Sequence, residues 1–215
     1  TPSKTEIRSI VSPSGVRPAA IGPPDTMIVG RFTRNAPISI PGTRRAPWNG
    51  SPMEPAGNPL TAGVGPGAFV PTREDVPELD RHGHPRILPI GAAAGFRILE
   101  GEPDPRGWPV IGSDGATAGV VSDIWVDTGD HLVRYLAVDV DGDKDARPVL
   151  LPITMCSVKR GDGVVVSDSL PAGDFAGVPR TASATQVTKL EEDRITAYFG
   201  AGYLYGTPDG AEPWL

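Results

Sequence analysis

Glycine and proline set the strongest limit on what this chain can become: 27 Gly and 25 Pro stand among its 215 residues. Each one inside a helix costs roughly 1 to 3 kcal/mol. A helical bundle is therefore excluded, and short strands, turns and extended coil remain. Twelve of the prolines fall in residues 1–70, Pro23 and Pro24 side by side. That stretch shows no sustained periodicity apart from a possible strand over Thr26 to Phe32, TMIVGRF. So long a segment cannot bury enough apolar area to offset the entropy of ordering itself. It is expected to be either a disordered tail or an extended arm held against something else. Apolar residues at 39% and aromatics at 6% are low for a single core of this length, which again gives one modest domain plus an arm.

Charge divides along the same boundary. Residues 1–70 hold Lys4, Arg8, Arg17, Arg31, Arg34, Arg44 and Arg45 against Glu6, Asp25 and Glu54, a net of +4, so residues 71–215 carry −10 of the total −6. The basic arm suits anionic lipid headgroups, whereas the acidic remainder argues against a nucleic-acid partner. The longest apolar run, Ile90 to Phe96, is far short of the roughly 20 residues of a membrane-spanning helix. One cysteine, Cys156, excludes an internal disulfide framework, and its apolar setting suits a packed thiol better than a nucleophile.

From Gly95 onward, strand-like runs alternate with turn signals. Trp108–Gly112, Ala118–Asp127, Leu132–Val140, Pro148–Val158 and Val164–Ser167 are separated by Ser113-Asp114-Gly115, Gly129, an acidic turn at Asp141 to Asp145 and Gly161-Asp162-Gly163. This pattern predicts an antiparallel barrel or sandwich. In the third run Leu136, Val138 and Val140 share one face and Tyr135, Ala137 and Asp139 the other, as in a half-buried strand. One helix is expected, from about 189 to 200. Thr188 with Glu191 forms a capping box, Glu191, Glu192 and Asp193 favour the first turn electrostatically, and Gly200 and Gly202 interrupt it.

Three histidines exist, His82, His84 and His131. Asp80, His82 and His84 occupy alternate positions in VPELDRHGHPRILP (Val76 to Pro89). Because Pro85 biases His84 toward extended backbone, the three side chains are expected on one side of the chain, about 6.6 Å apart. A solvated loop, a proton-collecting surface and a metal chelate all fit that pattern. Asp123, Asp127 and Asp130, beside His131, form a second cluster. If buried, their mutual repulsion would raise at least one pKa. The Asp139, Asp141, Asp143, Asp145 alternation is no calcium loop: counted from Asp139, position 6 is Lys144 and position 12 is Leu150.

The runs VGPGAFVPTREDVPELDRHGHPRILPIGAAAGF (Val64 to Phe96), VSDIWVD (Val121 to Asp127), VLLPITM (Val149 to Met155), DFAGVP (Asp174 to Pro179) and VTKLEEDRITAYFGAGYLY (Val187 to Tyr205) give the chain a specific likeness. It resembles the H subunit of the purple-bacterial type photosynthetic reaction centre, over about residues 64–205. The resemblance implies a mainly β fold: a small antiparallel PRC-type barrel over 95–205 with its helix, a connecting segment over 71–94, the arm over 1–70 lying on partner subunits, and a tail over 206–215. It also implies a non-enzymatic subunit on the cytoplasmic face of the photosynthetic inner membrane, which caps the L and M subunits and conducts protons to the secondary quinone.

By the same resemblance, protons enter at Asp80, His82 and His84, a carboxylate relay runs through Asp127 and Asp130, and Glu78 and Arg134 lie near the subunit contact. Added zinc would inhibit at Asp80, His82 and His84, with no native metal there. Bacteriochlorophyll, bacteriopheophytin, quinones and non-haem iron would sit in L and M, none on this chain. Relatives begin with a transmembrane helix. The expectation is therefore that such a helix precedes Thr1 or that a separate anchor polypeptide replaces it, with antenna subunits as further neighbours. The competing readings are a free-standing PRC-barrel adaptor for a protein or RNA partner, and a zinc hydrolase built on Asp80, His82 and His84. The latter lacks a fourth ligand and a general base.

Overall fold

The structure, a computed structural model, describes residues 42–140 and 147–206. The expected strand at Thr26 to Phe32, most of the proposed arm, the acidic turn over 141–145 and nearly all of the tail lie outside the described residues. None of the described helices is long and apolar enough to cross a membrane.

Among the described residues, nine strands and one α-helix make a mainly β fold. β1 (Gly42–Arg44) and β2 (Met53–Pro55) form a small hairpin. β3 (Ile87–Pro89), β4 (Pro109–Ile111), β5 (Thr117–Asp127), β6 (Leu132–Val140), β7 (Val149–Pro152), β8 (Ser157–Lys159) and β9 (Val164–Val166) form a seven-stranded sheet. The strand boundaries follow the turn residues closely, because glycine, proline and aspartate supply the backbone angles and local hydrogen bonds that end a strand. Asp114 shows this: its Oδ1 accepts from the N–H groups of Ala116 and Ala172, both at 3.1 Å, tying the β4–β5 turn to the loop before the helix.

β5 is the spine. β6 covers one edge, and β3 and β4 share the other, β4 pairing with the first half (Pro109 opposite Val120) and β3 with the last residues (Ile87 opposite Asp127). The sheet runs β7-β6-β5-β4-β9-β8 and stays open between β7 and β8. The one departure from antiparallel pairing is β4 with β9, which run parallel.

Two further expectations are revised. β6 is not half-buried: Tyr135, Leu136, Ala137 and Val138 are all buried and Asp139 is exposed. The second face of the strand is covered, with the Tyr135 hydroxyl reaching Glu192 of the helix. That helix, α1 (Lys189–Tyr205), runs straight through Gly200 and Gly202. Its start is as expected: Thr188 Oγ1 accepts from the Glu191 N–H at 3.2 Å, and Glu191 Oε2 accepts from the Thr188 N–H at 2.8 Å.

The glycines serve close packing. A Cβ on Gly202 would lie 2.6 Å from the Ser169 carbonyl oxygen and collide with the fully buried Leu170 side chain, and one on Gly200 would lie 3.1 Å from the Pro66 carbonyl. Their absence lets α1 settle onto the core, where Phe199 meets Phe175 edge-on with ring centroids 5.9 Å apart.

Gly202→Ala tests this packing. Alanine is the better helix former by about 1 kcal/mol, yet the substitution is expected to lower stability by about 1 to 3 kcal/mol through overpacking. Urea unfolding measures the difference, and a gain in stability would refute the close approach.

Candidate functional site

The segment from Val76 to Pro89 is held at both ends. Pro77 bridges to Thr188 and the Lys189 N–H donates to the Val76 carbonyl at 3.0 Å, while β3 joins the end of β5. Between them Leu79 pairs with Pro85, and the chain reverses over residues 80–84 with the Asp80 N–H donating to the His84 carbonyl at 2.7 Å. Gly83 takes φ 83°, a backbone angle natural to glycine. The backbone is thus a tight hairpin, where an extended run was expected.

Asp80, His82 and His84 still come together, for a different reason. Asp80 Oδ1 accepts from the N–H groups of His82 (2.7 Å) and His84 (2.9 Å), and its Oδ2 lies 3.6 Å from His84 Nδ1. The two imidazole centroids are 6.4 Å apart. The bond from the His84 N–H is the main reason the Asp80 carboxyl sits below its ordinary pKa. Asp80 therefore shapes the turn as a fixed anion. His84 is the open side chain, 77% exposed, and His82 Nε2 accepts from Arg81 Nε at 3.0 Å.

Next to the turn lies a cluster organised by Arg86, a residue the sequence reading passed over. Its guanidinium donates to Asp127 Oδ1 through Nε (3.1 Å) and to both Asp127 oxygens through Nη2 (3.0 Å each). Nη1 reaches Glu78 Oε1 at 3.2 Å, and Nη2 lies 2.9 Å from Asp130 Oδ2. Asp127 is only 2% exposed. Its Oδ1 also accepts from the N–H groups of Gly129 (2.8 Å) and Asp130 (3.1 Å). Gly129 is required here, because a Cβ would strike the guanidinium.

The expectation that crowded carboxylates would raise a pKa fails at Asp127. Burial pushes the carboxyl up, but hydrogen bonds from the Asp130 N–H, Arg86 and the Gly129 N–H outweigh it and hold it below the ordinary value. Nor do Asp123 and Asp127 act together. Irregularities in the β5–β6 register between Val121 and Asp123 and between Trp125 and Val126 break the alternation, and Asp123 instead acts on Arg106.

The raised carboxylate is elsewhere. Glu192, with its side chain 12% exposed, accepts from the Tyr135 hydroxyl at 2.9 Å and lies 3.8 Å from Arg134 Nε. Burial lifts its pKa, opposed by Tyr135 and Arg134 and reinforced by the charges of Glu78 and Asp127. Glu78 and Arg134, expected near a subunit contact, line one cavity of about 370 Å³ together with Glu192. In the sequence Glu192 looks like an ordinary helix-dipole charge; only the docking of α1 buries it. Arg86 did leave a signal, since it continues the alternate spacing of Asp80, His82 and His84.

A larger cavity, of about 760 Å³, is lined by Asp80, His82, His84, Arg86, Asp130 and His131. It collects both expected clusters except Asp127, which sits behind Arg86, and Asp123, which lines a different cavity. The His131 ring packs against Phe96 with centroids 5.5 Å apart. No group of three His, Cys, Asp or Glu residues among those described is arranged as a metal centre. Cys156 is packed, its thiol pushed up to about 12 by burial.

Two family models match. That of the photosynthetic reaction centre H-chain N-terminal region covers residues 25–92, and that of the PRC-barrel domain covers residues 102–172. Together they make this an H-subunit-like PRC-barrel protein. The site straddles the two matched regions: Glu78, Asp80, His82, His84 and Arg86 come from the H-chain-like N-terminal region, Asp127, Asp130 and His131 from the PRC-barrel domain. As a family the H chain is a structural, membrane-associated subunit.

Asp127 and Glu192 predict opposite pH effects. Asp127, with its folded pKa depressed, contributes stability that is present above its unfolded pKa of about 4 and is lost as pH falls through the folded value. Glu192, with its folded pKa raised, makes stability decline as pH rises from about 4.3 through the folded value. In denaturant unfolding across pH, Asp127→Asn should flatten the acid-side loss and Glu192→Gln should flatten the decline above it. The same slope change in both variants would contradict the assignment.

Proposed function

We propose that this H chain caps the cytoplasmic face of the L and M subunits of a reaction centre, shields the quinone sites from bulk water and passes protons toward the secondary quinone. The observation that carries the reading is the single cavity that joins His82 and His84 to Asp130. Imidazole is the side chain suited to exchanging protons near neutral pH, and His84 stands open to water at the cavity mouth. Asp130, 61% exposed on its side chain, is the next acceptor inward.

Asp127 is better suited to hold Arg86 and a constant negative charge than to carry protons itself, because its hydrogen bonds favour the ionised form. Glu78 and Arg134, with Glu192, face a second cavity and belong to the side turned toward partner subunits. In this reading the pigments, quinones and non-haem iron belong to L and M, and the chain supplies only titrating groups and cover. It works on the cytoplasmic face of the photosynthetic membrane, beside antenna subunits, with a transmembrane anchor on this chain or on a separate polypeptide.

A free-standing PRC-barrel adaptor is the alternative. The excess of ten negative charges in residues 71–215 disfavours RNA, and no described feature favours another partner over the reaction-centre core.

The double variant His82→Ala, His84→Ala, assembled with the core complex, should slow proton-coupled reduction of the secondary quinone several-fold after flash excitation, with light-driven primary charge separation unchanged. Added zinc should slow the native complex and have little effect on the variant, because metal and proton compete for imidazole nitrogen. Native rates in the variant would refute the proton-uptake role.

A further inference from the structure

The β1–β2 hairpin presents its side chains in an unusual order. Its loop is internally bonded: the Arg45 N–H donates to the Pro52 carbonyl at 2.9 Å, the Ser51 N–H to the Trp48 carbonyl at 3.3 Å, and the Ala46 N–H to Ser51 Oγ at 2.8 Å. Gly50, at φ 86°, completes the reversal. The small polar Ser51 is the side chain turned inward and buried, whereas Trp48, the largest, stands outward at 64% exposed. Trp125, by contrast, is buried in the core. A turn that hides a serine and displays a tryptophan gains nothing for folding from that indole.

Two arginines precede it. Arg44 donates to Asn49 Oδ1 at 3.1 Å and makes no ion pair among the described residues; Arg45 lies 3.4 Å from Glu54 Oε1. We propose that this hairpin is a lipid-docking finger, with Trp48 entering the headgroup layer of an anionic bilayer and Arg44 and Arg45 meeting lipid phosphates. Tryptophan favours that layer because its ring is apolar and its N–H can still find a polar partner. Guanidinium groups pair with phosphate in two-point geometry and are drawn to negative leaflets. The membrane association of the family points to lipid as the occupant. The proposal does not depend on proton transfer, since none of these residues lines the uptake cavity.

The test is co-sedimentation of the whole chain with vesicles of phosphatidylcholine alone and with one part in three replaced by phosphatidylglycerol. Binding is expected to the anionic vesicles and to weaken with salt. Arg44→Gln with Arg45→Gln should reduce it by roughly tenfold, and Trp48→Ala several-fold. The native chain should also show a blue shift of tryptophan emission on binding that Trp48→Phe abolishes. Thermal melts that match the native chain would exclude misfolding of these exposed-site variants. Native binding by the variants, an emission shift that survives Trp48→Phe, or no vesicle binding by the native chain would each overturn the proposal. So would variants that lose affinity for the detergent-solubilised core while holding vesicles normally, since the finger would then be a protein contact.

Discussion

The ion pair between Arg86 and Asp127 is the interaction on which the rest of the site depends. An ionised carboxylate this well buried would be prohibitive alone, and removing the partner of such a pair costs about 3 to 5 kcal/mol. Here the guanidinium and two backbone N–H groups satisfy it. The clamp extends to the backbone: the Arg86 N–H donates to the Glu78 carbonyl at 2.8 Å, and the Arg86 carbonyl accepts from the Thr128 N–H at 2.9 Å and the Thr128 hydroxyl at 3.0 Å. One residue thereby fixes the turn that carries the histidines against the end of β5, and joins the H-chain-like N-terminal region to the PRC-barrel domain.

Electrostatic roles separate around that clamp. Asp80 and Asp127 are held ionised by hydrogen bonds, so they act as standing negative charges and as frames for their turns. Asp130 and the imidazoles keep access to water. Glu192, on the far side of Glu78, is the one described carboxylate whose burial wins over its partners. A gradient from open imidazole to enclosed acid follows from how deeply each element is packed, with no need for unusual residue types.

The sequence was most legible where local chemistry decides. Turn residues marked the ends of β4, β5, β6 and β9, and the Thr188–Glu191 spacing located the start of α1, but the single run expected over Pro148–Val158 is divided into β7 and β8 by a short 3-10 turn at Ile153–Met155. Reading failed where tertiary packing overrides a local rule. Gly200 and Gly202 look like helix breakers, yet they are contact points for a helix pressed on Ser169, Leu170 and Pro66. β6 alternates in sequence but is covered on both faces. At the site, Asp80, His82 and His84 do cluster, through an aspartate-centred turn in place of a strand. Arg86 and Glu192 escaped notice because an arginine beside proline and an acid in a first helical turn are ordinary on the page; only the partners brought to them across 41 and 57 residues make them otherwise.

Hydrogen exchange in the Arg86→Gln variant reads the clamp directly. If Arg86 ties the histidine-bearing turn to the sheet, amides over residues 78–86 and 127–131 should lose protection while those shared by β5 and β6 over residues 119–125 retain it. Unchanged protection of the turn, or its loss together with the whole sheet, would contradict the claim that this one side chain organises the site.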